Sequence, residues 1–385
     1  MSLNERLTQI QPNAIRAFDA QISDVADILK LTLGEPDFNV PTHIKQAAID
    51  SILADDSHYA PAAGTQALRE AAVHFLADRY NLQYDADSQV IVTLGATEGI
   101  YDTITAVVNT GDRVLIPAPN FPLYDPTVVL AGGVPTYVDT SATDFLLTPD
   151  QLRGAIDTYG DQLVAVVLNY PSNPTGATYT SEQLSALADV LRGTDITVIA
   201  DEIYSELVYD GQHTSIAQYL PDQTLVLNGV SKSHAMTGYR IGFVVGPTKL
   251  IRAVGLIHQF AVTSASNPAM AGAAEALGTE AGRQDTLAMK AEYAARRDYL
   301  VKALRELGFA IPQPAGAFYV FAQIPDGLDQ DDVAFSLALA QEGKVAVIPG
   351  SAFGIGGAGY IRLSYAASLA DLQTAVARIA AFITD

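Results

Sequence analysis

Seven short apolar segments, rich in β-branched residues, alternate with helix-like patterns between about residues 65 and 275. Strands that alternate with helices are typical of a mainly parallel sheet, because each parallel pair needs a long crossover connection. The sequence therefore predicts an α/β fold with a large domain, in which helices wrap a mainly parallel seven-stranded sheet. The predicted strands are residues 89–95, 112–118, 134–139, 163–169, 196–201, 224–229 and 241–246.

A different pattern follows Pro268. From about Ala269 to Leu307 the chain is rich in Ala, Leu, Arg and Glu and has no proline, which predicts a long helical stretch. Three later segments read as strands of a small sheet, at residues 316–321, 345–348 and 360–364. We therefore expect a large domain over residues 42–274 and a smaller α/β domain that contains residues 275–385.

Composition restricts the class of protein. The chain has 22 Lys plus Arg against 43 Asp plus Glu, a formal charge of −21, so its surface would repel nucleic acid and anionic lipid. It has no apolar run of membrane-spanning length, and its first twenty residues are polar and mixed, without an export signal. It also has no cysteine, which excludes disulfides and fits a reducing interior. We expect a cytoplasmic enzyme with neither nucleic acid nor membrane as partner.

The segment from Asn228 to Gly242 places one amine, Lys232, among hydroxyls and glycines, with Arg240 eight residues on. An amine can condense with an aldehyde to a Schiff base. Ser231 and Arg240 can bind a phosphate, and the glycines allow the backbone to approach both groups. The segment therefore has the residue types that a covalently held, phosphorylated cofactor needs.

Polar clusters also follow two earlier predicted strands. The strand before Asp201 ends in the sequence Asp-Glu-Ile-Tyr, which closes with Tyr204, and an upstream strand leads into the turn that contains Asn173. In an open α/β sheet, ligands bind at the carboxyl ends of the strands. The clusters at Asn173, Asp201 and Lys232 are therefore expected to meet in one crevice.

A fourth segment suits an anion. Gly95, Ala96 and Thr97 follow the strand at 89–95 and open a predicted helix. The first turn of a helix has unpaired backbone N–H groups and the positive end of the helix dipole. This position could bind a phosphate.

Together these segments resemble the motifs of class I/II aminotransferases, which are pyridoxal-phosphate enzymes of fold type I. The resemblance implies that Lys232 holds the cofactor as an aldimine and that Asp201 keeps the pyridine nitrogen protonated. Tyr204 and Asn173 would donate to the ring hydroxyl. The phosphate would be held by Ser231, Arg240 and the helix start at Gly95, Ala96 and Thr97.

The resemblance covers nearly the whole chain. Residues 31–38 are similar to the family's amino-terminal motif, whose glycine, here Gly34, contacts the substrate carboxylate. In residues 58–70, Tyr59 matches a tyrosine that reaches the phosphate of the neighbouring subunit, which implies a homodimer. The resemblance also implies that residues 1–41 pack with the small domain.

Two further positions match the family pattern. Phe121 lies where the family places an aromatic ring that stacks on the pyridine, usually tyrosine or tryptophan. Phenylalanine keeps the stacking surface but has no polar group. Arg362 matches the arginine that pairs with the α-carboxylate of the substrate, together with Asn173, and a planar guanidinium suits that bidentate contact.

The implied activity is transfer of an amino group from an amino acid to a 2-oxo acid by a ping-pong mechanism. Lys232 would serve as anchor and as base, which requires a pKa well below the usual lysine value of about 10.4. The amino donor stays open, with aspartate, aromatic amino acids and N-acetyl-diaminopimelate as candidates. The six histidines show no zinc-like spacing, so no metal is assigned.

Two alternatives use the same fold. A carbon-sulfur β-lyase of the cystathionine lyase type would expel a thiolate from the same carbanion, although such lyases often have histidine where this chain has Tyr204. A non-catalytic sensor, like the aminotransferase-like domain of some transcription regulators, would need an added basic helix-turn-helix region. Neither the length nor the composition leaves room for that region.

Overall fold

Within residues 3–384, which the computed structural model describes, the chain forms thirteen α-helices and twelve β-strands. The helices are α1 (Ala14–Gln21), α2 (Thr42–Leu53), α3 (Gln66–Tyr80), α4 (Gly95–Val107), α5 (Tyr124–Ala131), α6 (Pro149–Tyr159), α7 (Ser181–Leu191), α8 (Val230–Ser233), α9 (Thr248–Ala261), α10 (Asn267–Gly278), α11 (Glu280–Glu306), α12 (Asp332–Gln341) and α13 (Leu369–Thr384). The strands are β1 (Leu29–Lys30), β2 (Val90–Thr93), β3 (Arg113–Ala118), β4 (Val134–Asp139), β5 (Leu163–Asn169), β6 (Thr197–Asp201), β7 (Thr224–Gly229), β8 (Gly242–Val245), β9 (Tyr319–Gln323), β10 (Val345–Ala346), β11 (Ile348–Pro349) and β12 (Tyr360–Ser364).

The large sheet has seven strands in the order β2-β8-β7-β6-β5-β3-β4. Neighbouring strands are parallel except β8, which runs antiparallel to both β2 and β7. All seven segments predicted from the sequence form strands of this sheet, so the predicted mainly parallel α/β fold is confirmed. The order places β5, β6 and β7 side by side, which brings the ends of these three strands together.

Alternate residues of each strand enter two separate cores, one on each face of the sheet. In β2, for example, Val90 and Val92 pack in one core, and Ile91 packs in the other with α4 and α9. Since each fully buried aliphatic side chain contributes about 1.5–3 kcal/mol, the apolar strands are stable only when helices cover both faces. The sequence pattern therefore explains the layered architecture.

The carboxyl-terminal part builds a second, smaller sheet with antiparallel order β11-β12-β9. The amino-terminal segment joins this part, since β1 pairs in parallel with β10, and Phe18 of α1 and Ile22, which follows α1, pack with Phe321. These contacts support a small domain made of residues 1–41 and 275–385 beside a large domain of 42–274. That division stays a prediction.

The predicted helical stretch from Ala269 to Leu307 is two helices. Thr279 separates them in an extended conformation, and its hydroxyl caps α11 by accepting a hydrogen bond from the backbone N–H of Gly282. Glycine often ends a helix and threonine often caps the start of one, so the pair Gly278-Thr279 indicates a break between two helices. The helix-favouring composition of the whole stretch obscured this local signal. The predicted boundary at residue 275 consequently lies inside α10, which packs on α2 and α3.

None of the helices in residues 3–384 is both long enough and apolar enough to span a bilayer.

Candidate active site

A cavity of about 320 Å³ opens at the carboxyl ends of β5, β6 and β7. Asn169 ends β5, Asp201 ends β6, and Lys232 follows β7, and all three line the cavity. The lining also contains most of the other site residues predicted from the sequence, namely Gly34, Ala96, Thr97, Phe121, Asn173, Tyr204, Ser231, Arg240 and Arg362. The expected convergence of the polar clusters is therefore observed.

Lys232 lies in the single turn of α8, directly after β7. Its Nζ donates a hydrogen bond to the carbonyl of Gly34 at 2.5 Å. Burial lowers the pKa of Lys232 to about 8, and the positive charges of Arg240 and Arg362 act in the same direction, while Glu35 and Asp201 oppose them. A substantial fraction of the amine is thus neutral near physiological pH, as a nucleophile or base must be.

Asp201 is 3% exposed at the end of β6. The hydroxyl of Tyr124 donates to its Oδ2 at 2.7 Å. Burial raises the pKa of Asp201 to about 6, although the Tyr124 hydrogen bond lowers it. A buried carboxylate of this kind is stabilised when a cationic group, such as a protonated ring nitrogen, lies against it.

Tyr204 and Asn173 make contacts that the sequence did not reveal. The hydroxyl of Tyr204 lies 2.7 Å from that of Tyr319, and burial raises the pKa of Tyr204, so it stays a neutral phenol that can donate. Oδ1 of Asn173 accepts from Nη1 of Arg362 at 2.9 Å, and its backbone N–H donates to Asn169 Oδ1. Asn173 therefore connects the end of β5 to the guanidinium.

Arg362, on β12, is 1% exposed. Its Nη2 donates to the carbonyl of Thr32 at 2.6 Å, and the guanidinium carbon lies 4.5 Å from the centre of the Tyr319 ring. Nε has no hydrogen-bond partner in the part of the chain that the structure describes. A buried guanidinium with a free N–H beside a cavity suits an anionic ligand.

The opposite end of the cavity is the start of α4. Gly95 has φ of +72°, and a Cβ built there would lie 2.6 Å from Nη2 of Arg240. Glycine therefore gives Arg240 room over the first turn, where its Nη2 is 3.5 Å from the hydroxyl of Thr97. Ser231 lines the same region. Free backbone N–H groups, two hydroxyls and a guanidinium fit a phosphate.

The two predicted aromatic residues occupy different environments. Phe121 lines the cavity and packs edge-on against Tyr124, with ring centres 6.0 Å apart. Tyr59 is 91% exposed and lies in a separate surface depression with His58 and Asn267. Tyr59 thus does not line the cavity of its own chain.

Tyr124 and Tyr319 are polar site residues without a role in the sequence analysis. Each acts through a long-range contact, with Asp201 and Tyr204 respectively, so no local motif identifies them. Tyr319 could have been found only from the pairing of the strands, because β9, which begins with Tyr319, is the neighbour of β12, the strand that contains Arg362.

A buried cluster of Glu98, Asp102 and His258 lies behind the first turn of α4. Nδ1 of His258 is 2.9 Å from Glu98 Oε1 and 3.8 Å from Asp102 Oδ2. Both carboxylate oxygens of Asp102 lack a hydrogen-bond partner within residues 3–384. Burial and the charge of Glu98 raise the pKa of Asp102 to about 7. We interpret the cluster as groups that share a proton, and the assignment of no metal stays a prediction.

Replacing Asp102 with asparagine is expected to stabilise the protein more at pH 8 than at pH 5. The folded pKa of about 7 lies above the ordinary 3.8, so the stability gained from the bound proton is lost as pH rises between these values. Asparagine stays neutral throughout and avoids that loss. We expect the variant's gain in melting temperature over wild type to be about 2–4 °C larger at pH 8. The same difference at both pH values would contradict the shifted pKa.

The chain is similar in sequence and structure to known proteins. The model of the family Aminotransferase class I and II matches residues 26–379. The probable N-acetyl-LL-diaminopimelate aminotransferase of Bacillus subtilis is 40% identical over 382 residues, which covers 99% of this chain and 95% of that protein. The structure of aspartate aminotransferase from Thermus thermophilus with maleate has a TM-score of 0.94 at 35% identity, covering 99% of this chain and 100% of that one.

A second solved structure leads to the same family. The aromatic aminotransferase from Pyrococcus horikoshii OT3 has a TM-score of 0.89 at 36% identity, and the match covers 95% of this chain and 98% of that one. The family match over most of the chain agrees with the resemblance found in the sequence motifs. The chain therefore belongs to the class I and II aminotransferases, and it is a pyridoxal-phosphate-dependent aminotransferase with the fold of that family.

Proposed function

We propose that the enzyme moves the amino group of an α-amino acid to a 2-oxo acid in two half-reactions of a ping-pong cycle, with Lys232 as both anchor and base. The observation that carries the proposal is the half-buried amine of Lys232, with its pKa lowered to about 8, in one cavity with Asp201 and Arg362. The three groups supply a nucleophile, a buried carboxylate and a carboxylate-binding guanidinium.

The cavity has residues suited to the phosphate, to the ring and to the ring nitrogen of the cofactor. Pyridoxal phosphate supplies an aldehyde for an amine and a ring that withdraws electrons from the substrate α-carbon. The first turn of α4, Ser231 and Arg240 would hold its phosphate, and Phe121 would pack on its ring. Asp201 would hold the proton of the ring nitrogen, and Tyr124 fixes the orientation of that carboxylate through its hydrogen bond.

Lys232 would move a proton once the substrate amine has taken its place. The freed Nζ would accept the proton of the substrate α-carbon and later release it, so the amine would end each half-reaction in its starting protonation state. Its lowered pKa supports this role, because an amine of ordinary pKa would be almost fully protonated at pH 7. The carbonyl of Gly34, which accepts from Nζ, favours one position of the amine.

Arg362 would bind the α-carboxylate that all amino acid and oxo acid substrates share. Its Nη1 and Nη2 are fixed by Asn173 and Thr32, and Nε has no partner in the described chain. Because these contacts hold the guanidinium in place before substrate arrives, little conformational entropy is lost on binding. Gly34 would also contact the α-carboxylate. A side chain at this position would be crowded, because a Cβ at Gly34 would lie 2.9 Å from the Tyr319 hydroxyl.

A panel of amino donors with 2-oxoglutarate, followed by the formation of each oxo acid, tests this function. Cystathionine in the same assay, with detection of pyruvate and thiol, tests the β-lyase alternative. We expect transamination of at least one donor and no thiol release, in line with Tyr204 at the position where such lyases often have histidine. Thiol release without transamination would overturn the proposal.

We further propose that the enzyme is a homodimer in which each Tyr59 reaches the phosphate bound by the other subunit. Asn267 fixes the loop of Tyr59 by donating hydrogen bonds to the carbonyls of Asp56 and His58. Tyr59 and nearby Ile52 are nonetheless 91% and 61% exposed. Large exposed apolar side chains on an ordered surface favour an interface, which supports a second subunit at this position.

Mixing two inactive variants is expected to restore activity if the site is shared. In a Lys232→Ala and Tyr59→Phe heterodimer, one site combines an intact Lys232 with an intact Tyr59 from the partner. Random exchange between equal amounts would restore about a quarter of the sites, because half of the dimers are mixed and each has one good site. Provided that Tyr59→Phe alone is impaired and that exchange is demonstrated, a mixture no more active than its components would contradict the shared site.

The proposal also includes the location of the enzyme in the cell and the candidate amino donors. The absence of cysteine supports a cytoplasmic location, where disulfides are rare. The relatives are named for N-acetyl-LL-diaminopimelate, aspartate and aromatic amino acids, so each remains a candidate donor. Pathway assignment depends on that choice.

A further inference from the structure

The helix start that would hold the cofactor phosphate has an unusual cap residue. Helix α4 begins after Leu94, whose apolar side chain cannot accept a hydrogen bond, whereas most helices are capped by Ser, Thr, Asp or Asn. A side-chain cap would occupy an N–H group of the first turn, so leucine leaves these groups available to a ligand. The first helical residue is Gly95, with φ of +72°, and glycine restricts the backbone least of all residues. Another contact is needed to hold this turn in one conformation.

Glu98 supplies such a contact. Its Oε2 accepts a hydrogen bond from the backbone N–H of Leu94, one turn earlier in the chain. The arrangement resembles one half of a capping box, in which an acidic side chain of the first turn reaches back to the backbone before the helix. The hydrogen bond engages the N–H of Leu94 and not those of Ala96 or Thr97. Glu98 therefore fixes the turn without using the donors that would face the phosphate.

Glu98 is itself held from the opposite side by α9. Its Oε1 lies 2.9 Å from Nδ1 of His258, and the two side chains are 9% and 0% exposed. Ile251 and Val254 fix α9 in the core beneath the sheet. Burial would lower the pKa of His258, but the hydrogen bond and the charge of Glu98 raise it above its usual value. A protonated imidazole offsets the negative charge of the carboxylate, which would otherwise repel an anion at the helix start.

We propose that Glu98 is a positioning residue for the cofactor phosphate, because it ties the first turn of α4 to α9 and so aims the N–H groups of that turn at the phosphate. The inference rests on the proposed function, since it assumes that this turn binds the phosphate. Glu98 acts through its length, which places a carboxylate oxygen at the N–H of Leu94. It touches neither the cofactor nor the substrate.

Two substitutions separate the length of Glu98 from its charge. Glu98→Asp keeps the negative charge near His258 but is one methylene group shorter, so it gives up the hydrogen bond from Leu94. Glu98→Gln has no charge, but it keeps the length and an amide oxygen that can accept this bond. Melting temperatures show whether each variant is folded.

Binding of pyridoxal phosphate and of pyridoxal to the full-length chain, measured by titration calorimetry, separates the phosphate from the ring. We expect Glu98→Asp to weaken pyridoxal phosphate binding about 10- to 50-fold, because the first turn would adopt its binding conformation only about 2–10% of the time. The affinity for pyridoxal, which has no phosphate, should change less than about twofold. Glu98→Gln should bind both compounds within about threefold of wild type, because it keeps the hydrogen bond.

Two further variants are matched controls. Glu182→Ala removes a first-turn glutamate from α7, whose N-cap Thr180 forms a complete capping box and which lies outside the cavity lining. Asp102→Asn changes the other carboxylate of the buried cluster, whose oxygens have no hydrogen-bond partner within residues 3–384. Both controls should leave the two affinities unchanged.

Three results would overturn the role of Glu98. These are an unchanged affinity for pyridoxal phosphate in Glu98→Asp, an equal loss for pyridoxal phosphate and pyridoxal, or a loss of more than about tenfold in Glu98→Gln, which would indicate that the charge matters and not the length. Failure of the wild-type enzyme to transaminate any donor would instead count against the proposed function. The two affinities do not depend on turnover, so the two failures are distinguishable.

Discussion

Replacing Lys232 with alanine is expected to lower turnover by several powers of ten while the protein stays folded and still binds pyridoxal phosphate. General-base catalysis contributes about 10²- to 10⁴-fold, and loss of the covalent anchor slows the exchange with substrate in addition. Binding persists because the contacts proposed for the phosphate and the ring come from other residues. Single-turnover rates with a good amino donor, together with melting temperatures, check the expectation.

Lys249→Ala provides the matched control, because Lys249 lies exposed on α9, outside the cavity. It should retain wild-type turnover. A Lys232→Ala enzyme whose rate stays within about tenfold of wild type would contradict the role of base, since a lost general base costs at least about 10²-fold.

Asp201 and Arg362 are expected to fail in different ways. Without Asp201 the ring nitrogen of the cofactor would not keep its proton and the chemical step would slow, so we expect kcat to fall about 10²- to 10³-fold, as for other groups that stabilise developing charge. Without Arg362 the α-carboxylate loses charge-assisted hydrogen bonds, so KM should rise about 10- to 100-fold. Separate measurements of kcat and KM, with absorption spectra of the bound cofactor, distinguish the two.

Conservative variants separate charge from geometry at both positions. Asp201→Asn still offers an oxygen to the Tyr124 hydroxyl, which now donates to Asp201 Oδ2 at 2.7 Å, but has no charge for the ring nitrogen. Its kcat should fall nearly as far as the kcat of Asp201→Ala. Arg362→Lys should recover little, because a lysine cannot form the bidentate fork. A fully active Asp201→Asn enzyme, or the same spectral change in the Asp201 and Arg362 variants, would count against the assigned roles.

The sheet could be predicted because its strands are buried on both faces and therefore read as short apolar runs between helical patterns. The position of β8 could not be predicted in this way. It lies antiparallel between β2 and β7, although it follows β7 directly in sequence and β2 is far from it. Pairing partners and direction depend on long-range packing, about which the local pattern of a strand contains no information.

The site could be predicted in part for a similar physical reason. Asp201 and Lys232 follow strands whose carboxyl ends meet in a parallel sheet, so their convergence is a consequence of the fold. Tyr124 on α5 contacts Asp201, and Arg16 on α1 lines the cavity, but the sequence around each of them contains no comparable signal. Tertiary contacts alone identify them.

The interactions between buried charged groups were the hardest feature to predict from the sequence. His258 and Asp102 are more than 150 residues apart and meet only because α4 and α9 pack together on one face of the sheet. Spacing along the chain therefore showed no cluster among the histidines. The lowered pKa of Lys232 was expected from its role, and the structure gives burial as its main cause.

Borohydride reduction of the cofactor-loaded enzyme, followed by digestion and mass spectrometry, tests most directly whether Lys232 is the cofactor anchor. Reduction makes the carbon–nitrogen link between the amine and the cofactor permanent. The account predicts a yellow protein that loses its colour on reduction and carries the pyridoxyl group on the peptide that contains Lys232. A pyridoxyl group on another lysine, or none on any peptide of an enzyme that turns over, would contradict it.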